Sequence, residues 1–110
     1  MNTYLMLGKY TLSGMSRVSA ARTHVVEEIV NKFGGELTTI YALMGDWDLA
    51  VIVDFPDNES AMKSAVALRK YTDIIFSTYP AVSIDDFDKS VTDMFKDLMK
   101  TSIVQGEPAD

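Results

Sequence analysis

The feature that most constrains the fold is the short segment 44–48 (MGDWD), which lies near the middle of the chain between two strand-like apolar runs. The runs cover residues 37–43 (LTTIYAL) and 49–55 (LAVIVDF). A Gly-Asp pair between such runs is typical of a tight hairpin, because glycine reaches the positive φ angles that these turns require. The segment therefore predicts two adjacent antiparallel strands, with a helical pattern on each side.

Outside the hairpin, the spacing of apolar residues predicts two more strands and three helices. The strands cover about residues 4–12 and 74–82, and the helices about 16–33, 58–71 and 85–100. Pro80 favours an edge position for the last strand, since proline cannot donate a ladder hydrogen bond. The order β-α-β-β-α-β plus a C-terminal helix predicts an α+β, ferredoxin-like fold, in which two helices cover one face of an antiparallel sheet.

Each predicted helix carries an apolar stripe, and we expect the stripes of the first two helices to be buried against the sheet. The stripes are Val18, Ala21, Val25, Ile29, Val30 and Phe33 in the first helix, Ala61, Met62, Ala65, Val66 and Leu68 in the second, and Phe87, Val91, Met94, Phe95, Leu98 and Met99 in the last.

The composition indicates one domain, over residues 1–102, followed by a flexible tail over 103–110. The sequence has no cysteine, which excludes disulfides, zinc–thiolate sites, iron–sulfur clusters and thiol nucleophiles. It also lacks a recognisable signal peptide and any apolar run of the ~20 residues that a membrane span needs. We therefore expect a cytoplasmic protein without a membrane partner.

The charge balance argues against nucleic acid as a partner. The chain has 16 Asp and Glu against 10 Lys and Arg. Nucleic-acid binding usually relies on a positive surface that neutralises phosphates. Ferredoxin-like RNA-binding domains also carry a basic-aromatic signature, and residues 8–10 (GKY) lack its flanking pattern.

The predicted strands are apolar on both sides. The first offers Leu5 and Leu7 on one side and Tyr4, Met6 and Tyr10 on the other. Two helices can cover only one face of the sheet, and a large apolar surface is unusual on a monomer. We therefore predict that the open face packs against a second copy of itself in a homodimer.

Six residues are candidates for a ligand pocket: Tyr4, Tyr10, Tyr41, Trp47, Asp48 and Tyr79. Tyrosines that share a barrel interior would form an aromatic pocket with polar hydroxyls, suited to a small planar ligand. They suit a subunit interface equally well, because tyrosine buries its ring while its hydroxyl keeps a partner. Asp48 is either a ligand-binding or basic carboxylate, or the acceptor of backbone hydrogen bonds that pin the hairpin.

No metal site or cofactor is expected. His24 is the only histidine, and in the run 24–28 (HVVEE) Glu28 stands where an inverted zinc motif needs a second histidine. Since no other nitrogen or sulfur ligand is at hand, we expect His24 to be a solvated surface residue.

These residues also carry a family likeness. Tyr4, Gly8 and Tyr10-Thr11 in the first strand, Gly34-Gly35 after the helix, residues 44–48 and Pro56-Asp57 together resemble the GYD family, over about residues 3–88. The family signature of glycine, an aromatic residue and aspartate is read here as Gly45, Trp47 and Asp48, with tryptophan in place of the usual tyrosine. The resemblance implies a dimeric α/β barrel, in which two ferredoxin-like sheets pack face to face.

The function that follows is a homodimeric α/β-barrel protein that binds a small organic molecule in an accessory or regulatory role. The alternative is a cofactor-independent enzyme, since the wider barrel group includes monooxygenases that bind substrate between sheet and helices. In that case Asp48, Tyr4 or Tyr79 would supply the acid–base chemistry.

Overall fold

A computed structural model describes residues 1–16 and 18–101 of the 110-residue chain, so the predicted tail over 103–110 lies outside the described residues. The elements are β1 (Asn2–Tyr10), α1 (Leu12–Met15), α2 (Ala20–Lys32), β2 (Glu36–Ala42), β3 (Leu49–Phe55), α3 (Asn58–Thr72), β4 (Ile74–Ala81) and α4 (Ile84–Met99). The four strands form one antiparallel sheet in the order β2-β3-β1-β4. This is the predicted ferredoxin-like arrangement, with Pro80 in an edge strand as expected.

The connection between β2 and β3 is wider than predicted. Ala42 pairs with Leu49, so six residues, 43–48, join the strands in place of a two-residue turn. The loop is closed by hydrogen bonds of Asp48: its backbone carbonyl accepts from the N–H of Leu43 at 2.8 Å, and its own N–H donates to the carbonyl of Gly8 at 2.8 Å. The loop is therefore anchored to β1 as well as to its own hairpin.

The predicted helix over 16–33 is shorter in the structure, where α2 covers Ala20–Lys32, and a separate short helix, α1 (Leu12–Met15), precedes it. Thr11 caps α1 by accepting from the Gly14 N–H, and Ser19 caps α2 by accepting from the Arg22 N–H. A hydroxyl that satisfies free N–H groups starts a new helix at each cap. The buried residues of α2 are Arg22, Val26 and Val30, whereas Val18 and Ala21, which we expected to be buried, are exposed.

The core lies between the sheet and the helices α2 and α3. It is formed by Tyr4, Met6, Val26, Val30, Val51, Val53, Phe55, Ala61 and Leu68. The prediction for α3 was wrong at two positions, because Met62 and Val66 are 67% and 72% exposed. Ser64 and Thr72 are buried in their place. The buried side of α3 thus carries Ser64 and Thr72 together with Ala61 and Leu68, while Met62 and Val66 point outward.

The opposite face of the sheet is open. Its residues alternate with those of the core: Thr3, Leu5 and Leu7 in β1, Ala50, Ile52 and Asp54 in β3, and Ile75, Ser77 and Tyr79 in β4. Leu5 and Ile52 are direct cross-strand partners near its centre. We call this surface, with its central apolar residues, the open sheet face.

The last helix, α4, leaves the body of the domain, and the described chain extends over 65 × 30 × 20 Å with a radius of gyration of 19.3 Å. A compact domain of this length has a radius of gyration of about 13 Å. In the described residues, α4 has no buried side chain. Among the described helices, none has the length and apolarity needed to cross a membrane.

Candidate functional site

The two ends of β1 hold different clusters of polar side chains. At the end that carries the 43–48 loop, the carboxylate of Asp48 accepts a hydrogen bond from the backbone N–H of Tyr10 at 2.8 Å. Together with the two backbone hydrogen bonds of Asp48, this contact ties the loop to β1. Asp48 thus has the hairpin-pinning contacts that were one of its two predicted roles.

The neighbouring side chains at this end are also paired with one another. The guanidinium of Arg22 lies 4.7 Å from the centre of the Tyr10 ring and donates to the carbonyl of Gly14. Arg22 is 8% exposed. A Cβ on Gly14 would lie 2.5 Å from the carbonyl oxygen of Asp73, so only glycine fits there. We call Tyr10, Gly14, Arg22 and Asp48 the loop-end cluster.

At the other end of β1, Tyr4 meets the first turn of α3. Its ring is 2% exposed and packs edge-on against Phe55, with the ring centres 6.0 Å apart. Its hydroxyl donates to Oδ1 of Asn58. Asn58 is held at this point because Asp57 caps α3, its carboxylate accepting from the Ser60 N–H at 2.7 Å. These Ser60 hydrogen bonds favour the charged form and hold the pKa of Asp57 below its usual 3.8.

Two cavities share Tyr4, Asn58 and Pro80 as lining residues. The smaller, of about 210 Å³, lies between β4 and α3 and is also lined by Ala61, Met62 and Thr78. The larger, of about 430 Å³, opens toward the start of α4 and reaches Ser83 and Asp86. Ligand pockets typically measure 300–1,000 Å³, and the larger cavity falls within that range. We call this pair of cavities the Tyr4 cleft.

One polar atom in the Tyr4 cleft stands out. Oγ1 of Thr78, which lines the smaller cavity, is buried and has no hydrogen-bond partner among the described residues. An unpaired buried hydroxyl costs free energy, so such groups are usually bonded to protein or to an ordered water. The smaller cavity thus brings Thr78, Tyr4 and Asn58, three residues with polar side-chain groups, together in its lining.

The six predicted pocket residues do not lie together within one chain. Tyr4 and Tyr10 are on the helix-covered side at opposite ends of β1, and Trp47 and Asp48 lie in the loop beside Tyr10. Tyr41 and Tyr79 are on the open sheet face, 57% and 47% exposed. Of the six, only Tyr4 lines the Tyr4 cleft, and Tyr41 and Tyr79 lie where a second sheet would pack.

Sequence reasoning missed Asn58, Thr78 and Ser83 as lining residues. Thr78 could have been found from the strand topology, because β1 and β4 are antiparallel neighbours in the predicted order. Thr78 pairs with Met6, which lies two residues from Tyr4 in β1. Asn58 follows the predicted cap Asp57 directly. His24 is exposed, as expected, and no cluster of three or more metal-ligating side chains occurs in the part of the chain that the structure describes.

The GYD domain model matches residues 4–91, which is most of the chain. The chain belongs to the GYD domain family. The match includes the loop-end cluster, all the residues that line the smaller cavity of the Tyr4 cleft, and the first half of α4.

Among solved structures, the fold is similar to that of the leucine response regulatory protein LrpA of Mycobacterium tuberculosis. The TM-score is 0.51 at 6% sequence identity, and the similarity covers 74% of this chain and 51% of the LrpA chain. This chain thus corresponds to about half of LrpA, and at this identity the likeness shows the fold alone. No curated protein matches the sequence.

Proposed function

We propose that this GYD-family protein is a homodimer that binds a small, neutral organic molecule in the Tyr4 cleft, in an accessory or regulatory role. The observation that carries the proposal is the buried, unpaired hydroxyl of Thr78 in a cavity that also presents Tyr4 and Asn58. A binding pocket of this kind combines an apolar lining with a few fixed polar groups that orient the ligand.

The chemistry of the cleft limits the class of ligand. Met62, Ala61 and Pro80 supply apolar contacts, and the hydroxyl of Thr78 can donate to a carbonyl or ether oxygen. The charged side chain at the rim is Asp86, and the whole protein has a net charge of −6. An anionic ligand would be repelled, so we infer a neutral aromatic or alicyclic carbonyl compound.

The open sheet face supports the dimer. Leu5, Leu7, Ala50, Ile52 and Ile75 form a continuous apolar surface over three strands that neither α2 nor α3 covers. Packing this surface on a second copy would remove it from water at a gain of about 25 cal/mol per Å². A third cavity, of about 320 Å³, lies on this face beside Leu5 and Ile52 and also borders Tyr4, so the dimer interface would adjoin the cleft.

Two of the candidate acid–base groups, Asp48 and Tyr4, lie too far apart to act as a pair within one chain. Tyr4 and Tyr10 are six residues apart along β1, which corresponds to ~20 Å at the rise of a strand. Asp48 lies at the Tyr10 end, and its carboxylate is bonded to the Tyr10 N–H. Asp48 and Tyr4 therefore cannot act on one small molecule within a chain.

A cofactor-independent enzyme is the second candidate, and the hydrogen bond from Tyr4 to Asn58 is the observation that favours it. In that case the phenol of Tyr4 would exchange a proton with the bound molecule. Tyr4→Phe would abolish turnover and leave binding in place. If Tyr4→Phe turns over substrate at the wild-type rate, the enzymatic alternative fails.

The dimer is tested by sedimentation of Ile52→Asp, which places a charge at the centre of the open sheet face. Thr23→Asp is the matched control, because it adds the same charge on an exposed position of α2. We expect Ile52→Asp to raise the dissociation constant of the dimer and Thr23→Asp to leave it unchanged. A dimer of unchanged affinity in Ile52→Asp would contradict packing through this face.

Ligand binding is tested by thermal shift with a panel of neutral aromatic and alicyclic carbonyl compounds. A compound that raises the melting temperature of the wild type should have a smaller effect on Asn58→Ala and Thr78→Val. Asn31→Ala, an exposed asparagine of α2, is the control and should respond like the wild type. If no compound binds, or if all variants respond equally, the Tyr4 cleft is not the ligand site.

A further inference from the structure

We infer that α4 is an exchanged arm: its apolar stripe docks in a groove beside α3 of a second copy of this chain, and the two copies do so reciprocally. The proposal concerns the outer, helical side of the domain. It does not rest on the open sheet face or on ligand binding.

The first observation is the stripe itself. Ile84, Phe87, Val91, Met94 and Leu98 follow the alternating three- and four-residue spacing of a helix that packs along a partner helix. Phe87 is 53% exposed and Met94 is 47% exposed. No described residue of α4 is buried: Ile84, Phe87 and Met94 are exposed, and Val91 and Leu98 are only partly buried.

The second observation is a groove of matching character on the same chain. A cavity of about 510 Å³ lies along α3, where Phe33, Met62, Val66 and Ala67 form an apolar floor. Its rim carries Glu59, Lys63 and Lys70. The apolar residues of α3 that we expected in the core, Met62 and Val66, thus line this groove instead.

Charge decides between two possible partners for the stripe. Within its bounds, α4 has five aspartates and two lysines, a net charge of −3, whereas α3 has one glutamate, two lysines and one arginine, a net charge of +2. Pairing α4 with α4 of a second copy would bring two acidic helices together. Pairing α4 with α3 brings opposite charges together, so the groove of α3 is the better partner.

The lengths also agree. At a rise of 1.5 Å per residue, α4 with 16 residues and α3 with 15 residues are ~24 Å and ~22 Å long, respectively. A docked α4 would therefore cover α3 over its full length. Reciprocal exchange gives each copy one arm and one filled groove, as a closed twofold dimer requires.

The connection before α4 is short, and no described residue of α4 lines the groove beside its own α3. Only Val82 and Ser83 separate β4 from α4. Ser83 caps the helix, since its hydroxyl accepts from the Asp86 N–H at 3.2 Å and its carbonyl accepts from the Phe87 N–H at 2.9 Å. The groove of α3 is thus left unfilled by the α4 of its own chain, which leaves it open to the α4 of a second copy.

The test uses the absence of cysteine from the sequence. One preparation carries Val66→Cys and another, distinguishable by an affinity tag, carries Val91→Cys. These residues lie at the middle of α3 and α4, so they come close whether the docked helices run parallel or antiparallel. After the preparations are mixed, unfolded together and refolded, treatment with a flexible bismaleimide should link a tagged chain to an untagged one.

Lys89→Cys replaces Val91→Cys in the control, because Lys89 lies on the side of α4 opposite the stripe and should give little cross-linking. The double variant Val66→Cys/Val91→Cys carries both cysteines in one chain. If the mixture does not cross-link but the double variant forms a link within one chain, α4 folds onto its own α3. No link in either preparation would show that α4 docks elsewhere. Both results would overturn the proposal.

Affinity gives a second measurement. Met94→Asp places a charge in the stripe, and we expect it to raise the dissociation constant of the dimer by on the order of 100-fold. Lys89→Gln changes the net charge by the same amount on the polar side of α4 and should have no effect. An unchanged dissociation constant in Met94→Asp would contradict arm exchange, whatever the result for Ile52→Asp on the open sheet face.

Discussion

The two ends of β1 differ in how completely their polar groups are satisfied. In the loop-end cluster, Asp48 accepts from Tyr10, and Arg22 both covers the Tyr10 ring and donates to Gly14. In the Tyr4 cleft, the Thr78 hydroxyl has no partner among the described residues and the side chains surround open volume. The comparison suggests that the first end maintains the fold and that the second is shaped for a molecule from outside.

The difference also separates the family signature from the candidate binding site. Gly45, Trp47 and Asp48 lie at the loop end, and Asp48 forms hydrogen bonds with backbone groups of β1 and of Leu43 in the same loop. These hydrogen bonds close the loop, and they account for Asp48 without a catalytic role. The comparison predicts losses of stability at one end and losses of binding at the other.

The largest effect is expected for Arg22→Ala. It removes the contact with the Tyr10 ring and leaves the Gly14 carbonyl without its charged donor, at a cost of about 2–4 kcal/mol in the free energy of unfolding. Arg69→Ala is the control, because Arg69 is exposed on α3 and its loss should matter little. Urea denaturation measures both. Equal stability of the two variants would show that Arg22 does not stabilise the loop end.

Asp48→Ala should have the next largest effect. Without the carboxylate, the partly buried N–H of Tyr10 loses its acceptor, which costs about 1–3 kcal/mol. Asp48→Asn retains an oxygen acceptor and should lose less. Asp46→Ala, two residues away in the same loop and exposed, serves as control. If Asp48→Ala unfolds at the wild-type urea concentration and instead abolishes ligand binding, the assignment of the two ends is reversed.

Thr78→Val should behave in the opposite way. It replaces an unpaired hydroxyl by a methyl group of similar size, so the free energy of unfolding should change by about 0.5 kcal/mol or less, or rise. The same variant should weaken ligand binding in the thermal-shift assay. A loss of stability as large as that of Asp48→Ala would show that the hydroxyl has a structural partner, and the contrast between the ends would disappear.

The smallest effect concerns pH at the cleft end. Because the pKa of Asp57 is lowered in the folded protein, the charged cap stabilises α3 above pH 3.8, and this contribution is lost as pH falls through the folded-state value. Asp57→Asn keeps a capping side chain but cannot titrate. Melting temperatures followed from neutral to acidic pH should therefore fall less steeply in Asp57→Asn near and below pH 3.8. Parallel curves would contradict the role of this carboxylate.

The sequence predicted the strands well, because β1 and β3 are apolar runs with turn-forming residues after them, Ser13-Gly14 after the first and Pro56-Asp57 after the second. It failed in α3, where Ser64 and Thr72 are buried and Met62 and Val66 are exposed. A stripe of small and apolar residues is compatible with more than one rotation of the helix. The structure has the rotation that buries Ala61, Ser64, Leu68 and Thr72.

The candidate site was less predictable than the fold. Tyr4 was identified from its residue type, but Asn58 and Thr78 have no pattern of their own and become relevant only when α3 and β4 meet beside Tyr4. The predicted cluster of aromatic residues also required these side chains to lie on the same face of the sheet and close together along the strands. Tyr41 and Tyr79 share the open sheet face, while Tyr4 and Tyr10 are separated along one strand.

The most direct test of the central claim is native mass spectrometry of gently purified wild-type protein and of Asn58→Ala. We predict that the wild type has twice the 12.2 kDa mass of one chain plus the mass of a small molecule at each of two sites. The Asn58→Ala dimer should have lost that extra mass. A wild-type monomer of 12.2 kDa, or extra mass that is retained in full by Asn58→Ala, would contradict a dimer that binds its ligand in the Tyr4 cleft.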